Sequence, residues 1–268
     1  MLSLRYKVLI VMTFSGFLIT GCASSGSVFG ESDAELEAES SRQFAQMRAE
    51  MPLATDRGTI DYVLCVVTAV VDALEPPYDE QNWDLAIFET GMINAFAMPG
   101  GNIGVHDGIL DLATNQHQLA TVIGHEIAHV NQRHVAQRQS RSGITNAGVY
   151  VAAVVLGQGH SGMTNTAYQG LSYGTSLTLL KPYGRSHELE ADVIGLDYMA
   201  KAGFDPRESA ELWVKMSEEH EGEAPPEFLS THPSDKTRID ALVSMYPKTL
   251  VMYNEAKAQG KNPNCTRN

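Results

Sequence analysis

His125-Glu126-Ile127-Ala128-His129 is the stretch on which the reading of this chain turns. Two histidines four residues apart on a helix stand roughly 40° apart on one face, so both imidazoles can reach one metal ion. The helix is legible around them. Thr114-Asn115 offers N-cap side chains, and Leu119, Val122, Ile123, Ile127 and Val130 recur at helical spacing, which predicts a helix running to about Arg141. Glu126 shares that stripe with Leu119 and Val122. A carboxylate facing the core needs a partner, and a metal-held water supplies one.

A catalytic zinc takes three protein ligands and keeps one position open. The metzincin arrangement would place a third histidine ten residues after His125, but Val135 stands there, and His134 is expected on roughly the opposite side of the helix. Glu188, in Ser186-His187-Glu188-Leu189-Glu190-Ala191-Asp192, is the better third ligand. It opens a second helix expected from about Ser186 to Ala202, closed by Gly203. Asp192 lies one turn on and shares its face. Glu188 can therefore bind the metal while Asp192 accepts the free ring N–H of a ligand histidine, His125, and fixes its tautomer. Small Ala191 and Gly195 let the two helices approach closely. Glu190 is the competing ligand, but it points roughly 200° from Glu188 on the helix and has Ile194, not a partner, one turn on. His187 reads as a loop-edge or supporting histidine. The expected site is one zinc held by His125, His129 and Glu188, with Glu126 as general base.

The rest of the chain supplies the frame. A chain of 268 residues, 43% hydrophobic, can bury roughly 70% of its unfolded surface, enough for a substantial core. Ala34 to about Leu74 reads as two helices stopped by Pro76-Pro77. Leu85 to Phe88, Asn94 to Ala97 and Asn102 to Val105 are short apolar runs separated by Gly91 and Pro99-Gly100-Gly101, the spacing of small strands. Gly143 to Gly174 reads as a helical hairpin or flap, with a membrane-touching surface as the alternative. Asp205-Pro206-Arg207-Glu208 has the residues of a capping box opening a further helix. A last helix is expected from about Pro233 to Tyr246. The fold class is α+β, mainly helical, with a small sheet before the motif helix.

The amino terminus carries an address. Arg5 and Lys7 precede an apolar run from Val8 to Ile19, shorter than the ~20 residues of a membrane helix, and the run ends Leu18-Ile19-Thr20-Gly21-Cys22. This resembles a bacterial lipobox. Residues 1–21 are then a lipoprotein signal peptide, with Cys22 lipidated as the membrane anchor, 22–40 a flexible tether and 41–268 the catalytic domain. Cleavage removes Arg5 and Lys7 and takes the formal charge from −13 to −15, a surface that disfavours nucleic acid. Ala23 after the cysteine favours the outer membrane, facing the periplasm. Cys65 and Cys265 remain, a disulfide pair or, for Cys65, a buried thiol.

Asn94-Ala95-Phe96-Ala97-Met98-Pro99-Gly100-Gly101, the motif helix, Glu188-Leu189-Glu190-Ala191-Asp192, and His232-Pro233 with Arg238 together resemble one zinc metallopeptidase family. It holds the BepA-like and LoiP-like periplasmic proteases, HtpX-like proteases, the mitochondrial Oma-type protease and the CAAX prenyl endopeptidase. The short LoiP-like form is the nearer comparison, since the chain ends at Asn268 without room for the helical-repeat extension of BepA-like proteins. The resemblance implies a zincin-like fold, Glu188 as ligand and Glu126 as catalytic carboxylate. It assigns Asp192 a proton-donor role in some members, where the residues themselves favour an orienting one. His232 is implied as an oxyanion donor or as a cap on the open zinc position, with a plain loop histidine as the alternative. Arg238 reads as a structural ion-pair partner. The strand Gly101 to Val105 is expected to be the edge that pairs with extended substrate. The expected function is an endopeptidase acting on unfolded or misassembled envelope proteins. The alternative is a zinc-containing envelope chaperone or assembly factor with little or no proteolysis, against which stand the intact Glu126 and the lack of cysteine near the motif.

Overall fold

The computed structural model of the chain describes residues 32–138, 184–219, 227–233 and 235–267. The signal segment 1–21, Cys22 and the Gly143 to Gly174 stretch lie outside the described residues.

Helix α1 (Asp33–Glu50) opens with the reciprocal bonds of a capping box: the Ser32 hydroxyl accepts from the Glu35 amide, and Glu35 accepts from the Ser32 amide at 2.9 Å. It begins inside the 22–40 segment, so residues 33–40 form part of a packed helix. Its inner face is Leu36, Ser40 and Phe44. Helix α2 (Arg57–Val71) is capped by Asp56, which accepts from the Thr59 amide at 2.7 Å, and it buries Tyr62, Val63, Val66, Val67 and Val70.

Three strands follow, β1 (Asp84–Phe88), β2 (Ala95–Met98) and β3 (Asn102–His106), in the order β1-β3-β2, with β1 parallel and β2 antiparallel to β3. The period of two divides the faces. Ile87, Ala95, Ala97, Ile103 and Val105 join the main core, while Ala86, Phe88, Phe96 and Met98 pack with Phe44 of α1 on the other face. The Gly101 to Val105 strand is central and wholly buried, not an edge. All five residues from Asn102 to His106 are buried, so this strand is covered on both faces. The edges are β1, which is bridged through Phe88 to Leu53, and β2.

After the short α3 (Ile109–Leu112), Asn115 caps the motif helix α4 (Gln116–Asn131) by accepting from the His117 and Gln118 amides. α4 stops well short of Arg141. Arg133 takes a positive φ of 56°, and residues 134–138 resume helical structure in a new direction. α5 (Arg185–Lys201) ends at Gly203, whose φ of +89° is the left-handed conformation expected of it. α6 (Glu208–Glu219) begins later than the capping-box reading required. The Asp205 amide donates to His117 Nδ1, and Glu208 instead accepts from Asn115 and Gln118, a tertiary use of both groups. α7 (Glu227–Thr231) is short, and α8 (Lys236–Ala258) continues past Tyr246 with Pro247 inside it. Burial of Leu242, Thr249 and Ala256 holds that helix on both sides of the proline. Cys65 of α2 and Cys265 of the tail are bridged across a sequence separation of 200.

The architecture is mainly helical with one small sheet, zincin-like. Among the described residues no helix is long and apolar enough to cross a membrane.

Candidate metal centre

α4 and α5 cross where glycine meets glycine. A Cβ built on Gly124 would lie 2.7 Å from the Gly195 carbonyl oxygen, so neither position has room for a side chain. Ala191, one turn before Gly195, is fully buried at the same contact. This approach sets His125 and His129 of α4 against Glu188 of α5.

The donor atoms converge. His125 Nε2 and His129 Nε2 are 3.1 Å apart, and each lies 3.4 Å from a Glu188 carboxylate oxygen. His232 Nδ1, from the loop after α7, is 3.1 Å from both His125 Nε2 and Glu188 Oε1. All four residues are buried, and their ligand atoms lie within 4.8 Å of one another. Neighbouring corners of a tetrahedron with metal–nitrogen bonds of about 2.0–2.1 Å are separated by about 3.3 Å. The donor set therefore fits one zinc ion in chemistry and in spacing. Three imidazoles and a carboxylate converging on one buried point are otherwise a poor interior arrangement.

Support comes from outside the ligands. His125 Nδ1 faces Asp192 Oδ1 at 3.0 Å, the position expected of an orienting carboxylate. Burial disfavours a charged His125, but Asp192 and Glu188 outweigh it and push its pKa up to about 9. His129, buried with less carboxylate support, is held well below the ordinary imidazole value. Asp192 is gripped by Arg238 through two bonds of 2.7 Å, and the same guanidinium reaches Glu188 at 2.8 Å. Arg238 stacks over Trp213 at 3.9 Å and donates to the carbonyl of Pro233, so it also fixes the His232 loop. Burial opposes ionisation of Glu188 and Asp192, yet bonds to the surrounding histidines and to Arg238 hold both carboxyls below their ordinary values.

Glu126 sits beside this cluster, buried, with its Oε1 making no hydrogen bond among the described residues and His232 Nε2 3.4 Å away. Burial pushes its carboxyl up from the ordinary value. The Ala97 amide of β2 faces it. The Asn94 carbonyl accepts from the His106 amide, so Ala95 and Ala97 fall at non-bonded pairs and turn their backbone groups away from β3.

One histidine contradicts its sequence assignment. The break at Arg133 swings His134 back under the site, where its Nδ1 is 2.9 Å from His129 Nδ1. His187, in the first turn of α5, stacks on His134 with ring centroids 4.3 Å apart, and Glu190 reaches His134 Nε2 at 3.3 Å. Glu190 thus has a partner, though not on its own helix.

The model of peptidase family M48 matches residues 60–246, well over half of the chain. The chain belongs to peptidase family M48. Members of M48 are zinc metallopeptidases, in keeping with the His125, His129, Glu188 and His232 cluster. The mitochondrial metalloendopeptidase OMA1 of Schizosaccharomyces pombe is 37% identical over 171 residues, covering 63% of this chain and 48% of the relative. The Arabidopsis thaliana protein of the same name is 35% identical over 181 residues, covering 66% and 35%. The beta-barrel assembly-enhancing protease of Escherichia coli K12 is 29% identical over 202 residues, covering 72% and 40%. The chain spans between about a third and about a half of the length of the curated relatives it matches.

Proposed function

We propose that this M48 chain is a zinc endopeptidase of the bacterial envelope that hydrolyses peptide bonds in unfolded or misassembled proteins. The observation that carries the reading is Glu126, a buried carboxylate whose Oε1 makes no hydrogen bond among the described residues, directly beside the His125, His129, Glu188 donor set. A purely structural zinc has no use for it, which disfavours the chaperone alternative.

Zinc, when bound, supplies a Lewis acid that polarises a peptide carbonyl and makes water nucleophilic near neutral pH. Glu126, its affinity for protons raised by burial, takes the proton of the attacking water and hands it to the leaving amine. Asp192 holds the His125 ring, and Arg238 holds Asp192. His232 Nδ1 is the fourth donor atom of the cluster, which supports a role in which it would cap the metal in this conformation. Its Nε2, close to Glu126, gives it a second task as oxyanion donor once it turns aside.

Substrate backbone pairs with β2 rather than with the Gly101 to Val105 strand. The outward amides and carbonyls of Ala95 and Ala97 offer a ladder beside Glu126. On the α1 side of β2 runs a cleft of about 520 Å³ lined by Met47, Met51, Phe96 and Met98, which suits apolar side chains exposed by unfolding. The lipobox-like Leu18 to Cys22 supports anchoring through Cys22, and Ala23 supports the outer membrane with the domain in the periplasm.

Bound zinc and casein cleavage test the assignment. The intact protein is expected to bind one zinc and cut casein, and Glu126→Gln to keep the zinc and lose the cutting. Equal cleavage by both proteins defeats the mechanism.

A further inference from the structure

We infer that His134 is a positioning residue of the metal centre: it orients His129 for zinc and couples that ligand to Glu190. The inference rests on the zinc reading of the donor set but not on peptidase activity.

The hydrogen-bond directions follow from the ligand. His129 Nε2 is the atom in the donor cluster, so its lone pair faces the metal position and its Nδ1 carries the ring proton. That N–H points at His134 Nδ1, 2.9 Å away. His134 Nδ1 must then accept, which places the His134 proton on Nε2, and Nε2 is the atom 3.3 Å from the Glu190 carboxylate. Each proton has a donor and an acceptor along His129, His134 and Glu190, and the order cannot be reversed while His129 binds zinc through Nε2.

The two ligand histidines are therefore held differently. His125 meets the carboxylate of Asp192 directly, whereas His129 meets a neutral imidazole that passes on the charge of Glu190. Glu190 is 49% exposed and solvent weakens its field, so His134 itself supplies most of the restraint. His134 is fully buried, stacked at an interplanar angle of 14° on His187, whose Nε2 lies 3.1 Å from Gln137 Oε1. The ring thus touches α4 through His129 and α5 through His187 and Glu190, and it fixes the angle of one ligand relative to the helix that carries another. Outer partners of this kind typically carry 10–100-fold in metal affinity.

The test is zinc affinity of the purified protein, measured by competition with a chromophoric chelator, for His134→Ala, His134→Asn and Glu190→Gln. Asparagine places a side-chain oxygen about where Nδ1 sits and can accept from His129. His134→Ala is expected to lose about 10–100-fold in zinc affinity, His134→Asn to recover most of it, and Glu190→Gln to lose a few-fold. The absorption bands of the cobalt-substituted protein should move in His134→Ala and return in His134→Asn. Unchanged affinity in His134→Ala overturns the inference. So does an equal loss in the alanine and asparagine variants with matching losses of thermal stability, which would make the ring mere packing. Neither result touches the peptidase reading, which stands or falls with Glu126→Gln, and failure of the intact protein to bind zinc would sink both.

Discussion

A Cβ placed on Gly195 of α5 would stand 2.7 Å from the Gly124 carbonyl carbon and 2.7 Å from the His125 amide nitrogen of α4. The obstructing atoms are backbone, so they cannot swing aside. Gly195→Ala must push the ligand-bearing helices apart, with an expected cost of about 1–3 kcal/mol. Because His125 and Glu188 ride on opposite sides of that contact, zinc affinity should fall in the same variant. Urea denaturation and chelator competition measure the two effects, and wild-type values in both would refute the close-contact argument.

Arg238 is the one arginine or lysine bonded to both Asp192 and Glu188 among the described residues. Replacing it with leucine leaves two buried carboxylates without their counter-charge, a change expected to cost about 3–5 kcal/mol. The loss should be partly recovered in Arg238→Leu combined with Asp192→Asn, which removes one of the stranded charges. Thermal melts of the single and double variants decide this, and additive losses would contradict it.

His117 gives a pH dependence outside the metal centre. Burial holds its pKa below the ordinary value of 6.5 despite the attraction of Asp205 and Glu208, with Lys257 adding to the depression. Its Nδ1 accepts from the Asp205 amide, which the protonated ring cannot do. The unfolded chain therefore binds this proton more tightly than the folded one, and stability rises with pH through the gap. The contribution is complete above the unfolded value and lost as pH falls through the lower folded one. Denaturation midpoints between pH 7.5 and 5 should fall more steeply for the native sequence than for His117→Asn. Parallel curves would rule the account out.

The Cys65–Cys265 bridge closes a loop spanning 200 positions. On chain-entropy grounds such a closure is worth roughly 5 kcal/mol, and strain or residual structure lowers the figure. Cys65→Ala with Cys265→Ala should melt well below the oxidised protein and match it once reductant is added. A melt indifferent to reductant would show that the tail contributes nothing.

Legibility in the sequence followed the range of the signal. His125 and His129 could be gathered from spacing alone, because helical period fixes which side chains share a face, whereas Glu188, on another helix, was reached through Asp192 one turn on and through the family resemblance. The sheet was visible as three apolar runs, but not its order: nothing local in Asn102 to Val105 says that β1 and β2 flank it. Composition marked Gly203 as a helix end, whereas Arg133, a residue with no preference for positive φ, ended α4 unannounced. That single backbone angle hid the role of His134. A count from His125 along a straight helix puts His134 on the wrong side, and only the presence of three histidines within ten residues could have raised the question. Pro247 misled in the opposite direction, since tertiary burial carried α8 through it. The Asp205 carboxylate keeps its local cap on the Arg207 amide, but its own amide and the Glu208 carboxylate find partners across the fold.

The outward-turned backbone of β2 carries a consequence for how targets would be chosen. A strand edge reads no side chain, so a segment can dock only after it gives up its own hydrogen-bonding neighbours, at whatever free energy its local opening requires. On the proposed function, cutting would then report the population of opened segments in the target. A well-folded protein would escape by keeping that population small, and a stalled one would be marked by its availability together with the apolar side chains it offers the cleft beside β2.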